Sequence, residues 1–154
     1  MLVTRRTRLA QRVERFNTRA QVKFYIDHAG GDFADYVLED DIDRRSLQVR
    51  HDDLDLGLKD HPIERAIVPT FLFAASDLIV VVGQDGLVAN VAKYAGAQPI
   101  VAITPDPARF DDVLLPLHPP AAAPAVTRVI DGMTTLREIT LAGGDSQRTR
   151  LVAA

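Results

Sequence analysis

The 154-residue sequence has no cysteine, which excludes disulfides and thiolate metal sites while leaving the compartment open. It has no long apolar run. The arginine-rich start lacks the apolar core that a signal peptide needs, and no stretch is long enough to span a membrane, so a cytoplasmic protein with no membrane partner is the expectation. An excess of basic charge is also missing: the net charge is -3 and the pI about 5.7, which argues against nucleic acid as the main partner. The acidic stretch between Asp35 and Leu58 lacks the alternate-residue ligands, central glycine and closing glutamate of a calcium loop. It reads as a charged helix facing solvent, and no metal site is expected from the side chains.

What is present is enough for one core. With 47% hydrophobic residues, the chain can bury one domain and hardly two. Arg5, Arg6, Arg8, Arg12, Arg15 and Arg19 form a basic N-terminal segment that a solvated helix face explains. Thr7 caps a helix carrying Leu9, Val13 and Phe16. Thr18 offers a second cap, and that periodicity runs to Gly30-Gly31. Met1-Leu2-Val3 reads as the tail of a strand, and Ile63 to Val68 as a short strand before Pro69. Phe71-Leu72-Phe73 makes an apolar plug.

The chain is organised around residues 77–94. Leu78-Ile79-Val80-Val81-Val82 is the unbroken run of a strand buried on both faces. Gly83 and Gly86 bracket Gln84 and Asp85 in a turn that needs glycine's freedom at positive φ. Leu87, Val88, Val91, Ala92 and Ala95 then keep helical spacing. A helix start carries unpaired N–H groups and partial positive charge, so this turn suits an anion. A carboxylate beside it, Asp85, has four uses: capping the helix, holding a metal, accepting a hydrogen bond from a hydroxyl, or taking that hydroxyl's proton.

Gly96 closes the helix, and Pro99 to Ile103 reads as a second buried strand, parallel to the first. The expectation is an α/β fold with a doubly wound, mostly parallel sheet, whose ligands gather beyond the carboxyl ends of the strands. Thr104 to Phe110 lies at that edge, where Arg109 could meet a phosphate or pair with Asp106 or Asp111. Val113 to Leu115 is a further short strand by pattern, Ala121 to Ile130 a helix, and Leu136 to Leu141 a strand turning at Gly143-Gly144-Asp145 towards Arg150-Leu151-Val152.

Gly83-Gln84-Asp85-Gly86-Leu87, set between a strand and a helix, resembles the Gly-Gly-Asp-Gly-Thr motif of the NAD kinase and diacylglycerol kinase superfamily. Val3-Thr4-Arg5, Arg15-Phe16-Asn17-Thr18, Gly31 to Tyr36 and Pro99 to Pro107 extend the likeness, which is to bacterial NAD kinase-like proteins often called sugar kinases. The resemblance implies an N-terminal α/β nucleotide-binding domain over residues 1–135, with 136–154 opening a β-rich domain that is otherwise largely absent. It implies ATP-dependent phosphorylation of a hydroxyl, most naturally the NAD 2′-hydroxyl, with Mg²⁺ neutralising ATP. Asp85 would sit at the acceptor hydroxyl, and Thr4, Arg5, Gly83, Gln84, Gly86, Leu87, Asn90, Thr104 and Arg109 would bind nucleotide. Gln84 replaces the motif's second glycine and Leu87 its threonine, and no Asn-Glu or Asn-Asp pair occurs. These departures motivate the alternative of a non-catalytic nucleotide-binding or assembly domain. The plug and the terminal hairpin suggest a homo-oligomer.

Overall fold

The computed structural model describes residues 1–53, 61–108, 113–141 and 147–152. Its centre is a six-stranded sheet in the order β2-β1-β3-β4-β6-β5, where β1 is Leu2–Thr4, β2 Pro62–Glu64, β3 Ile79–Val82, β4 Pro99–Ile103, β5 Leu136–Leu141 and β6 Gln147–Val152. All neighbours are parallel except the β5–β6 hairpin. The protein is therefore an α/β fold with a mostly parallel sheet.

Side chains alternate across β3, and the alternation divides the core. Ile79 and Val81 face one side with Val3, Ile100 and Ala102, and meet Leu87, Val88, Val91 and Ala92 of α4 (Asp85–Ala95). Val80 and Val82 face the other side with Val101 and Ile103, and meet Ala122, Ala125 and Val126 of α5 (Ala122–Ile130). All four residues of β3 are buried, as an all-apolar strand between two helical layers must be.

Between β1 and β2 the chain makes three helices: α1 (Arg8–Phe16), α2 (Arg19–His28) and α3 (Phe33–Asp53). Both expected caps form, with the Thr7 hydroxyl accepting from the Ala10 N–H at 3.1 Å and the Thr18 hydroxyl from Gln21 at 3.2 Å. Leu9, Val22 and Ile26 make a small separate core closed by Val13, Phe16, Phe33, Tyr36 and Val37. The acidic helix is not simply solvated. Its first turns face the N-terminal arginines: Arg8 meets Asp35 at 2.9 Å and also Glu39, and Arg5 meets Glu39 at 3.3 Å.

Three local expectations change. The strand read over 63–68 is confined to Pro62–Glu64, because Arg65 to Thr70 coils through a turn and a 3₁₀ turn around Pro69. Val113 to Leu115 forms no strand. Leu115 instead drops into the core as an anchor, and Leu117 makes a single bridge to Ile103. The hairpin of β5 and β6 is hydrogen-bonded into the main sheet, Pro99 opposite Arg150 and Ile100 opposite Leu151, so residues on both sides of 135/136 share one sheet. Leu151 and Val152 are buried in its two opposite layers. The Gly143–Asp145 turn, Arg109 to Asp111 and the end of the acidic stretch at Gly57 and Leu58 lie outside the described residues.

Candidate functional site

β1, β3 and β4 end side by side at Thr4, Val82 and Ile103. The chain leaves β1 outward to β2 and then returns across it to β3 and β4, so the connections diverge between β1 and β3. In open α/β sheets this reversal of strand order leaves a crevice at the carboxyl ends, where ligands bind. Here the crevice is narrow: about 20 Å³ of it is enclosed, room for little more than one water, so a nucleotide would lie across its mouth. Arg5 and Thr7 reach it from β1, Gly83 and Gln84 from β3, and Pro105 and Asp106 from β4. Its far wall is α3, through Glu39, Ile42 and Asp43.

The β1 side of the crevice is braced by charge. Glu39, little exposed, takes both Arg5 and Arg8. Burial works against the Arg8 charge, but the hydrogen bonds it donates to Asp35 and Glu39 outweigh it and hold the pKa above the ordinary arginine value. Arg6 bonds Glu14 and lies 2.9 Å from Glu64 on β2; the Glu14 hydrogen bond and the two carboxylate charges raise its pKa likewise. Thr7 has two tasks. While its oxygen caps α1, its hydroxyl donates to Oδ1 of Asp40, which is only 2% exposed. Asp40 Oδ2 lies 3.1 Å from the Arg44 guanidinium. A buried carboxylate needs such partners, because an unpaired one is strongly destabilising.

The glycine turn differs from its sequence reading. Gly86 is already in the first turn of α4 and has no positive φ; only Gly83 does, at +158°. Backbone conformation favours glycine at 83, and space adds to it, since a Cβ there would stand 2.9 Å from Cδ2 of the buried Leu87. Leu87 itself is 2% exposed and packs into the α4 core layer, so its side chain serves packing rather than a ligand. Gln84 is the helix N-cap, but its side chain makes no capping bond; its carbonyl accepts from the Leu87 N–H at 2.8 Å. At Gly86 a Cβ would meet nothing within 4 Å, so the backbone there is open to approach.

Asp85 is neither the cap nor a wall of the crevice. Its Oδ1 accepts from the Leu114 N–H at 2.8 Å and its Oδ2 from the Val113 N–H at 3.1 Å. Both oxygens thus clasp the segment that leads to the Leu115 anchor.

Of the residues expected at a nucleotide, the fold brings Arg5, Gly83 and Gln84 together in the crevice. Thr4 ends β1, its carbonyl accepting from the Arg65 N–H at 2.8 Å. Thr104 is buried and its N–H donates to Leu117 O at 3.0 Å. Asn90 lies along α4 with a buried, unpartnered Oδ1, and does not line the crevice. Arg109 lies outside the described residues. Thr7, Glu39 and Asp43 were not expected here. Glu39 and Asp43 had a signal in their four-residue spacing, which puts both on one helix face, but nothing local showed that this face turns to the sheet edge. Among the described residues, no group of three or more His, Asp or Glu side chains could hold a metal ion, and no helix is long and apolar enough to cross a membrane. Compared with known proteins, the chain matches no family model and no curated protein.

Proposed function

We propose that this chain is a nucleotide-binding α/β domain that takes a phosphorylated ligand, ATP or NAD, in the crevice between β1 and β3. One observation carries the reading: the crevice sits at the reversal of strand order, walled by the Gly83-Gln84 turn. The open backbone at Gly86, in the first turn of an eleven-residue helix, supports phosphate binding, because first-turn N–H groups have no carbonyl of their own helix. Arg5 is the guanidinium in the crevice, and a phosphate there would compete for it with Glu39, 3.3 Å away. The resemblance of Gly83 to Leu87 to the NAD kinase motif points to the same ligand class, and the cytoplasm would supply it.

Mg²⁺ fits this site only as a companion of the phosphates. It is commonly held by one or two carboxylates plus phosphate oxygens, and Asp106 is one of three crevice carboxylates, with Glu39 and Asp43, that would be in reach of it. There it would neutralise phosphate charge. Phosphotransfer to NAD is the more demanding form of the reading. It asks Asp85 to leave the Val113 and Leu114 amides and reach a hydroxyl, and the observed bonds favour binding over catalysis.

Calorimetric titration tests the reading. ATP or NAD, with and without Mg²⁺, should give saturable heat that Arg5→Ala weakens about tenfold. No heat with any combination refutes it. NADP formation from NAD, ATP and Mg²⁺ tests the catalytic form, and turnover unchanged in Asp85→Asn would remove Asp85 from the mechanism.

A further inference from the structure

The arginines of the N-terminal segment divide into two groups. Arg5, Arg6 and Arg8 are paired with carboxylates. Arg12, Arg15 and Arg19 are not: among the described residues none of them meets a carboxylate, and each lies on a ring instead, Arg19 at 6.0 Å from the centre of Phe33. The Arg12 guanidinium is 5.4 Å from the centre of Tyr25, and that of Arg15 is 5.5 Å from Phe16. Phe16 and Tyr25 stack with centroids 4.8 Å apart, so two guanidiniums and two rings form one continuous surface across α1 and α2.

Two adjoining hollows share that surface. One is basic, lined by Arg8, Arg12 and Arg15 with Gln11 and Tyr36. The other is shallow, with the rings of Phe16, Phe24 and Tyr25 beside the amides of Asn17 and Gln21. Arg15 belongs to both. Phe24 is 65% exposed; one face of its ring lies on the His28 imidazole, centroids 3.8 Å apart, and the exposed remainder faces water.

We infer that the outer face of α1 and α2 binds single-stranded nucleic acid, with phosphates on Arg12 and Arg15 and bases stacked on Phe24 and Tyr25. Flat rings beside unpaired guanidiniums are the arrangement that sequence-tolerant single-strand binding uses. The Asn17 and Gln21 amides lie where base edges would come. The shallowness of the aromatic hollow favours a flat base over an aliphatic anchor from a peptide. The overall charge of -3 does not oppose this, because much of the negative charge lies on α3, whose Asp35 and Glu39 are engaged by Arg8. The inference is independent of the crevice.

The test is fluorescence anisotropy of the full chain with labelled oligo-U and oligo-dA of about 12 nucleotides, a length within the usual single-strand site range, at roughly 50 mM salt. Both oligomers should bind, roughly tenfold more weakly at about 200 mM salt, as expected for two or three phosphate contacts. The double variant R12E/R15E should weaken binding at least about tenfold, and Phe24→Ala about fivefold or more. Arg128→Glu, the same charge change on α5, should leave it intact. Circular-dichroism melts of the variants should stay cooperative, with R12E/R15E melting somewhat lower because a glutamate at position 15 opposes the last turn of α1. Absence of binding at low salt overturns the inference, and so does binding indifferent to R12E/R15E or to Phe24→Ala. Displacement by polyglutamate at equal charge would assign the face to acidic proteins instead and also overturn it.

Discussion

Replacing Asp85 by alanine should loosen the connection between β4 and α5 more than it disturbs the helix that carries it. The carboxylate accepts two backbone hydrogen bonds, 2.8 Å from Leu114 and 3.1 Å from Val113. A hydrogen bond to a charged group contributes about 1.5–3 kcal/mol. Asp85 is only half-buried and Val113 is exposed, so the lower end applies. Its negative charge in the first turn of α4 adds roughly 0.3–1 kcal/mol. Asp85→Ala should therefore lower stability by about 3–4 kcal/mol, or about 6–16 °C in Tm at this size. Asp85→Asn retains one acceptor but turns an amide N–H toward a backbone N–H, and should fall between the two at about 1–2 kcal/mol. Urea unfolding with an unchanged slope measures both values. Amide exchange should show Leu114 losing protection before the β3 and β4 amides. An alanine variant within about 0.5 kcal/mol of the parent, with Leu114 exchange unaltered, would refute the clasp.

Other perturbations read other parts of the structure. Thr7→Ala removes a helix cap and a partner of the buried Asp40, and should cost about 2–4 kcal/mol in urea unfolding, whereas Thr7→Ser should stay within about 1 kcal/mol because it keeps the hydroxyl. Gly83→Ala drives a methyl into Leu87 Cδ2 and should cost about 1–3 kcal/mol. The double variant with Leu87→Val removes the clashing methyl group, so a double-mutant cycle should show favourable coupling between the two changes. Val91→Ala, at a fully buried position of α4, should cost about 2 kcal/mol, with no effect on oligonucleotide anisotropy.

The parts of this fold legible in the sequence are those fixed by short-range physics. The strand at 79–82 and the helix at 85–95 announce themselves by unbroken β-branched residues and 3.6-residue spacing. Thr7 and Thr18 cap through their own side chains, so their neighbours suffice to find them. What stayed hidden depends on distant partners. Leu115 reads like strand but is an isolated anchor, because no neighbouring strand edge receives residues 113–115. β6 enters the main sheet through only two apolar residues, Leu151 and Val152, and its other positions are polar; no local pattern points such a segment at β4. The candidate crevice was half legible: the Gly83-Gln84 turn is a local motif, while Glu39 and Asp43 join it only because α3 crosses over the ends of the strands. Asp85 is the sharpest case. Motif position suggested a substrate, and the three-dimensional neighbour is the chain's own backbone 28 residues on.

The placement of β6 between β4 and β5 has a consequence for synthesis on the ribosome. β4 can pair with β3 as soon as it emerges, but of its other edge only Ile103 is met, by Leu117, while α5 and β5 are made. During that interval a fully apolar strand presents unpaired N–H and C=O groups to the cell, the condition that invites edge-to-edge association. β5 cannot relieve it, because it reaches the sheet only through β6. The nascent chain thus depends on its late hairpin as a closing element, and lesions in 147–152 should be felt first as lost yield of soluble protein during translation.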